Sequence, residues 1–272
     1  MSKLPYLNLG CGSRYSPLWT NIDFQGKKNE IIGHNLLAGI PFETDSFEVV
    51  YHSHVLEHFS KTDGRNFVTE CFRVLKKNGI IRIAIPNLEE IVRQYIKNME
   101  GALAGDREAA DNYEWIMMEM YDQAVRHSKG GHMLAYLLQE NLPNKQYITQ
   151  RIGREAEAIW AKNQGKENKS LFSKIKGKPV SQLVSIGWGM LNDKIKSKYY
   201  SLGRYRLGGE IHQWMYDRYS LKKLLEDIGF TNVKVQTAIS SDIPDWQSFN
   251  LDTNSKGEVN KPDSLFIEAR KL

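Results

Sequence analysis

The chain has 272 residues, of which 41% are hydrophobic and 25% are charged, and its formal net charge is +5. This composition is typical of a globular protein with one large domain, or one domain and a substantial insertion, and no run approaches the ~18 apolar residues of a membrane-spanning helix. The first residues lack the pattern of a secretory signal, and the two cysteines, Cys11 and Cys71, are too few for a disulfide framework or a cysteine zinc site, so we expect a reducing, cytoplasmic setting.

The first 90 residues alternate between strand and helix patterns. Short runs rich in apolar, β-branched and aromatic residues predict four strands, at 6–10, 20–24, 47–53 and 79–87. The last of these is apolar nearly throughout, as expected for a buried parallel strand. Strands that alternate with helices predict an α/β fold, in which a parallel sheet carries helices on both faces.

Two helices are predicted between and after these strands. The first follows a capping box formed by Ser60 and Asp63, has one apolar face, and is expected to stop at Asn78-Gly79. The second covers residues 88–99, where apolar side chains recur with the helical period.

The α/β pattern breaks in the middle of the chain and then returns. Residues 97–206 contain helical fragments without convincing alternating strands. A helix with one apolar face is predicted at 219–229, followed by strands at 230–239 and 264–272 that are joined by a long polar loop. We therefore predict a core made of residues 1–96 and 207–272, interrupted by a mostly helical insertion at 97–206.

The positive charge is concentrated in the second half of this insertion. Residues 162–206 contain nine lysines and two arginines but only two acidic residues, a net charge of +9. Four aromatic residues are interleaved with them: Trp188, Tyr199, Tyr200 and Tyr205. Such a segment suggests an acidic partner, although a solvated lysine-rich face would give the same composition. An apolar run at 180–191, beside these lysines, also permits peripheral contact with the inner face of an anionic membrane.

A glycine turn follows the first predicted strand. In "LNLGCG", Gly10 and Gly12 would let a ligand approach exposed backbone N–H groups, and Asp23 ends the second strand 13 residues after Gly10. In the dinucleotide fingerprint the acid comes ~20 residues later and the third glycine opens a helix that binds pyrophosphate. Here Arg14 takes the place of that glycine, and "SRYSPLWT" is too short and proline-broken for a long helix. The pattern therefore favours a nucleoside cofactor without phosphates.

The segments "YLNLGCG", "NIDF", "IPFETDSFEVVYHSHVLEHF" and "ECFRVLKKNGIIRIAIPN" resemble, in order and spacing, class I S-adenosylmethionine-dependent methyltransferases of the "LDLGCG…VLEH" type. The resemblance covers residues 6–87 continuously and 212–272 more loosely. It implies a Rossmann-like, seven-stranded, mostly parallel sheet and S-adenosylmethionine as the cofactor.

The resemblance also implies roles for nine residues. Gly10, Cys11 and Gly12 would line the methionine half of the cofactor, Asp23 would accept hydrogen bonds from both ribose hydroxyls, and Asn35 with Leu36 would lie beside the adenine. The other three, which would lie near the sulfonium and methionine, are Asn8, Ser53 and His54. Asn8 and Arg14 depart from the family pattern, since the family usually has aspartate and glycine there.

The stretch His54-x-x-Glu57-His58 has three interpretations. In a zinc peptidase, H-x-x-E-H must lie within one helix, but here it straddles a strand end. In the O-methyltransferases of ubiquinone synthesis and of small-RNA 3′ ends, which are similar at this point, E-x-x-E-H binds a divalent ion, and His54 replaces the first glutamate. Nitrogen in that position would favour Zn²⁺, Fe²⁺ or Mn²⁺ over Mg²⁺. The interpretation we favour needs no metal: Glu57 and His58 shape the acceptor pocket, and one of them, or His212, acts as the base.

The acceptor is expected above the carboxyl ends of the strands, where the insertion would form a lid. Its basic half suggests an anionic acceptor, such as a phosphorylated sugar or glycan precursor that is methylated on oxygen. RNA is the rival acceptor, which would require a 2′-O-methyltransferase-like enzyme, but the sequence contains no recognised RNA-binding module. A protein that keeps the fold and binds cofactor or partner without catalysis is the other alternative.

Overall fold

Seven strands pair in one sheet in the computed structural model, which describes residues 3–26, 28–164 and 198–272. The strands are β1 (Tyr6–Leu9), β2 (Thr20–Asp23), β3 (Ile31–Gly33), β4 (Phe47–Ser53), β5 (Leu75–Pro86), β6 (Phe230–Gln236) and β7 (Ser264–Lys271). Their order is β3-β2-β1-β4-β5-β7-β6, and only β7 runs antiparallel to its neighbours. The predicted seven-stranded, mostly parallel sheet is confirmed. Because the chain leaves β1 toward one side and β4 toward the other, the crevice between their carboxyl ends is the expected ligand site.

Eight helices belong to the described ranges. They are α1 (Lys61–Val74), α2 (Leu88–Leu103), α3 (Arg107–Val125), α4 (Gly131–Leu137), α5 (Lys145–Ile152), α6 (Arg154–Gln164), α7 (Lys198–Arg206) and α8 (Arg218–Ile228). The hydroxyl of Ser60 caps α1 by accepting a hydrogen bond from the N–H of Asp63, but the carboxylate of Asp63 accepts from that hydroxyl and not from the N–H of Ser60, so only half of the predicted capping box forms. The predicted end of α1 at Asn78-Gly79 is wrong: the helix ends at Val74, because Leu75 already pairs with Phe47 as the first residue of β5.

The two faces of the sheet are covered differently. On one face, α1 and α8 bury an apolar core around Leu9, Val50 and Ile83. On the other, an aromatic cluster around Trp19 packs against Trp246, and Trp246 comes from the region predicted as a polar loop between the last two strands. That loop therefore acts as a covering layer of the sheet.

A buried arginine lies under this second layer. Arg82 in β5 is fully buried and donates hydrogen bonds to the carboxylates of Asp252 (2.9 Å) and Glu268 (2.7 Å). It also donates to the carbonyls of Ser240 and Thr237, so the guanidinium joins β5, β7 and the covering loop.

The helices of the insertion have an apolar core of their own. Trp115, Leu137, Ile148 and Ile152 are buried together there. The predicted domain boundaries stay a prediction, although α2 continues across residue 96 as one helix. Residues 165–197, with the apolar run and Trp188, lie outside the described residues, so the predicted membrane contact stays a prediction too. Among the described helices, none is long and apolar enough to cross a membrane.

Candidate functional site

The glycine turn lies at the carboxyl end of β1. Gly10 and Gly12 have φ angles of +63° and +54°, a region that side-chain-bearing residues rarely adopt. A Cβ atom on Gly10 would lie 2.4 Å from a methyl group of Val55, whereas a Cβ on Gly12 would meet nothing within 4 Å. Gly10 is thus required by packing, and Gly12 faces open space. Residues 11–19, all of them described, run as turns and extended chain instead of a helix, as the sequence predicted.

Asp23 and Asn8 hold this turn in place. Asp23, at the end of β2, accepts hydrogen bonds from the N–H of Gly12 (2.8 Å) and the N–H of Gln25 (3.2 Å). Asn8 is buried, and its amide nitrogen donates to the carbonyl of Arg14 (3.1 Å) and the side-chain oxygen of Asn21 (3.2 Å). A carboxylate at position 8 could not make these donations, which gives a physical reason for the departure from the family pattern at Asn8.

A cavity of ≈ 200 Å³ opens beside the glycine turn. Its lining includes six of the nine predicted cofactor residues: Asn8, Gly10, Cys11, Gly12, Ser53 and His54. Asp23, Asn35 and Leu36 lie outside this lining. The side chain of Asn35 caps the short 3₁₀ turn Leu36–Ala38 by accepting from the N–H of Leu37, and Leu36 packs partly against the core. The predicted cofactor roles of all nine residues stay predictions.

Sequence reasoning missed four residues of this cavity. Ser13 and Arg14 belong to the glycine turn, and Arg14 was noted only as a departure from the family pattern. Tyr51 lies two residues before Ser53, so the alternation of side chains along β4 could have found it. Lys261 comes from the loop before β7, and no local pattern marks it.

A second cavity, of ≈ 410 Å³, adjoins the first, and His54 and Lys261 line both. The three predicted catalytic residues, Glu57, His58 and His212, all line this larger cavity. Its other walls come largely from the insertion, with contributions from α3, α4 and α6. Two sets of residues far apart in the sequence therefore meet at one place beside the glycine turn.

The H-x-x-E-H stretch does not form part of one helix. His54 follows the end of β4 with φ +54°, and Leu56–His58 forms a short 3₁₀ turn. The helical arrangement that a zinc peptidase requires is therefore absent from this stretch, all of whose residues are described. Two aromatic residues follow His212 in the sequence: Tyr216 is buried in the core, and Trp214 is exposed, with Lys61 over its ring.

Burial sets the charge of the histidines. Loss of water around His212 lowers its pKa to about 3, and burial also lowers the pKa of His58, so both rings are neutral at pH 7. Burial alone would raise the pKa of Glu57, but close contact with His54 and the neighbouring imidazoles outweighs it and holds that pKa below its ordinary value. The larger cavity thus has a carboxylate and two neutral imidazole rings on one wall, and each neutral ring has one nitrogen with a free lone pair.

Comparisons with known proteins agree with the family resemblance seen in the sequence. Residues 19–83 match the family model for a methyltransferase domain. A curated protein of Mycolicibacterium smegmatis, described as a probable S-adenosylmethionine-dependent methyltransferase, is 41% identical over 56 residues, which are 21% of this chain and 21% of that protein. The aligned region thus spans about a fifth of the length of the relative.

Solved structures of low sequence identity align over nearly the whole chain. One is a methyltransferase from Archaeoglobus fulgidus, with a TM-score of 0.37, 12% identity and coverage of 99% of this chain and 86% of that one. Another is a possible histamine N-methyltransferase from Thermotoga maritima, with a TM-score of 0.38, 12% identity and coverage of 98% and 82%. Residues 19–83, which carry β2, β3, β4 and the first part of β5, thus match a methyltransferase domain, and this match and the curated relative support the resemblance of the sequence to class I S-adenosylmethionine-dependent methyltransferases.

Proposed function

We propose that the protein transfers a methyl group from S-adenosylmethionine, bound at the glycine turn, to a hydroxyl group of an acceptor in the larger cavity. The observation that carries this proposal is the junction of the two cavities at His54 and Lys261. A displacement reaction requires donor and acceptor to be held in line and close together, and adjoining cavities provide that arrangement.

The residues of the glycine turn fit this cofactor. S-adenosylmethionine supplies a methyl group activated by a positively charged sulfur, and it has no phosphate that would need a helix N-terminus. The cavity of ≈ 200 Å³ is smaller than ligand pockets usually are, so it suits the methionine half alone. Asp23, which accepts the N–H of Gly12, retains lone pairs that would accept hydrogen bonds from the ribose hydroxyls, and Asn35 is the residue that we propose for the adenine.

Gly12 provides a specific test of this binding mode. Gly12→Ala should weaken binding of S-adenosylmethionine at least about tenfold, because the new methyl group would occupy space that the cofactor needs next to the backbone. Gly105→Ala is the matched control, since Gly105 also has positive φ (+91°) and open space around its Cβ position. Both variants should lose about 1–2 kcal/mol of stability from the left-handed backbone. Equal cofactor affinities in the two variants, measured by calorimetry, would argue against the proposed position.

We propose that the acceptor is an anionic molecule of modest size, which the three cationic side chains of the larger cavity would bind beside the four carboxylates, Glu57, Glu155, Glu210 and Asp263, that also line it. Arg126, Lys129 and Lys261 line the larger cavity and can bind a phosphate, while Glu57 and His58 can take the proton of an attacking hydroxyl. The insertion supplies walls of this cavity, which supports its proposed role as an acceptor-binding lid. We therefore propose a phosphorylated sugar or glycan precursor as the acceptor and methylation on oxygen.

A methyl-transfer screen tests this assignment. Labelled S-adenosylmethionine is incubated with the protein and with sugar phosphates, nucleotide sugars, unphosphorylated sugars or RNA, and we expect labelling of a phosphorylated sugar acceptor. Lys129→Gln should raise the KM for that acceptor roughly tenfold without changing cofactor affinity, and Lys222→Gln, an exposed lysine on α8, should change neither. Preferential labelling of RNA, or cofactor binding without transfer to any acceptor, would contradict the proposal.

A further inference from the structure

The carboxylate of Glu57 is buried without a well-aligned hydrogen-bond donor among the described residues. Its side chain is only 1% exposed, and both oxygens lack a hydrogen bond. His54 Nδ1 lies 3.1 Å from one oxygen and His212 Nε2 lies 4.0 Å from it, but neither is aligned to donate. Buried carboxylates are costly unless they are hydrogen-bonded, paired with a positive charge or bound to a metal. The unpartnered carboxylate of Glu57 is therefore a candidate ligand for a cation.

Two histidines complete a potential ligand set around this carboxylate. Glu57, His58 and His212 each offer one ligand atom, and these atoms all lie within 4.8 Å of one another. Ligand atoms bound to one transition-metal ion at about 2.0–2.2 Å lie roughly 3 Å apart, so side-chain rotations must close the set by ~1–2 Å. All three residues line the larger cavity, which gives an ion and a small molecule access to them.

The backbone holds the three residues together across the fold. The N–H of Gln213 donates to the carbonyl of Glu57 (2.7 Å), and the side chain of Gln213 donates to the carbonyl of His58 (2.8 Å). The N–H of His212 donates to the carbonyl of Gln123 in α3 (3.0 Å). The segment that carries His212 is thereby fixed against the turn that carries Glu57 and His58.

The orientation of His58 is also suited to metal binding. Its Nδ1 lies 3.2 Å from the carbonyl of Ile211, and that acceptor assigns the ring proton to Nδ1. The lone pair then belongs to Nε2. A histidine ligand commonly donates its other ring N–H to a carbonyl or carboxylate in this way, which fixes the tautomer and the ring orientation.

We infer that Glu57, His58 and His212 bind a divalent metal ion at the wall of the larger cavity. Two nitrogens and one oxygen favour Zn²⁺, Fe²⁺, Co²⁺ or Mn²⁺ over Mg²⁺, and three protein ligands leave a position open for water or an acceptor. The inference that an ion binds depends only on the geometry of these three residues. The chemical use of the ion rests on the proposed function: the ion would lower the pKa of a coordinated acceptor hydroxyl, and it would do so in place of proton transfer to Glu57 or His58, whose lone pairs would bind the ion.

His54 has a supporting role in this arrangement. In the O-methyltransferases that bind a metal ion through E-x-x-E-H, the first glutamate stands at the position of His54. By that comparison His54 would be a metal ligand. Its Nε2, however, lies 2.9 Å from the hydroxyl of Ser264, and its Nδ1 lies 3.1 Å from the carboxylate of Glu57, so both ring nitrogens face other side chains. We therefore assign His54 as a positioning residue that orients the carboxylate of Glu57.

Metal binding by the untagged 272-residue chain tests the inference. Metal-stripped protein is titrated with Co²⁺ and followed by visible absorption, and Zn²⁺ and Mn²⁺ are titrated by calorimetry. We expect one ion per chain. Glu57→Gln and His212→Asn should weaken its binding at least about 100-fold, and His54→Asn about tenfold. His127→Asn, which removes an exposed histidine outside the cluster, is the matched control and should bind metal as the unaltered chain does.

Affinity for S-adenosylmethionine, measured on the same samples, separates the two proposals. Variants that keep cofactor affinity but lose the ion are folded and support the metal site. An unaltered chain that binds the ion but no cofactor would leave the metal site standing and overturn the proposed function. No ion bound by the unaltered chain, or equal metal affinity in Glu57→Gln and His127→Asn, would overturn the metal site. If a ligand variant fails to fold, the stoichiometry and Co²⁺ spectrum of the unaltered chain decide the question.

Discussion

Replacing Asp23 with alanine is expected to weaken the binding of S-adenosylmethionine roughly 100-fold. A carboxylate at the end of β2 can accept hydrogen bonds from both ribose hydroxyls, and each bond to a charged group contributes about 1.5–3 kcal/mol. Loss of about 2.7 kcal/mol corresponds to two orders of magnitude in affinity. The same carboxylate accepts the N–H of Gly12, so its removal also loosens the turn that the methionine half contacts. Calorimetry on the purified chain measures the change.

Asp106→Ala is the control for a general loss of stability. It separates that loss from the two expected causes of weaker cofactor binding, which are the lost ribose hydrogen bonds and the loosened glycine turn. Asp106 accepts two backbone N–H bonds at the start of α3, as Asp23 does at the glycine turn, and it lies outside both cavities beside that turn. The Asp106→Ala variant should lose about 1 kcal/mol of stability and bind the cofactor as the unaltered chain does. Asp23→Asn retains an oxygen for Gly12 and should fall between the unaltered chain and Asp23→Ala. Undiminished affinity in Asp23→Ala would contradict the proposed binding mode.

Replacing Arg82 with methionine should destabilise the protein by about 3–5 kcal/mol, because it leaves buried charges without a partner. Arg82 faces two buried carboxylates, Asp252 and Glu268, and its guanidinium lies 4.3 Å from the ring centre of Trp246. Burial already raises the pKa of Asp252 above its ordinary value, and removal of the positive charge would raise it further. Chemical denaturation followed by tryptophan fluorescence measures the loss.

Lys76→Met is the matched control for Arg82 on the same strand. Lys76 pairs with Glu48 at 3.3 Å, but the two side chains are 41% and 56% exposed, so the loss should stay below about 1 kcal/mol. Arg82→Lys keeps the charge but loses the forked donor geometry, and it should give an intermediate loss. A similar loss for Arg82→Met and Lys76→Met would show that the network beneath the covering loop contributes little.

Local patterns predicted the part of the fold that holds the proposed cofactor site. The strands at β1, β2, β4 and β5 follow from apolar runs, and the glycine turn with Asp23 at the next strand end follows from residues close together in the sequence. β3 was not predicted, because it has only three residues and Ile32 on it is exposed, so it lacks the buried run that marks a strand. The end of α1 was placed too late because the helical period continues into Leu75, while pairing with Phe47 makes that residue extended.

Contacts between distant residues could not be predicted. Arg82 interrupts a nearly apolar strand, and only the fold shows that its partners lie more than 150 residues later. His58 and His212 were each predicted as candidate bases, but no pattern indicated that the two rings lie 4.8 Å apart. Lys261 lines both cavities from a polar loop without any local signal. Each case depends on tertiary packing that brings separate segments to the carboxyl ends of the strands.

A crystal structure with S-adenosylhomocysteine bound, the product left after methyl transfer, tests the account most directly. We expect the ribose hydroxyls on the carboxylate of Asp23 and the sulfur in the smaller cavity, facing the wall formed by His54. Product bound elsewhere, or protein atoms filling the crevice beside Asp23, would contradict the account.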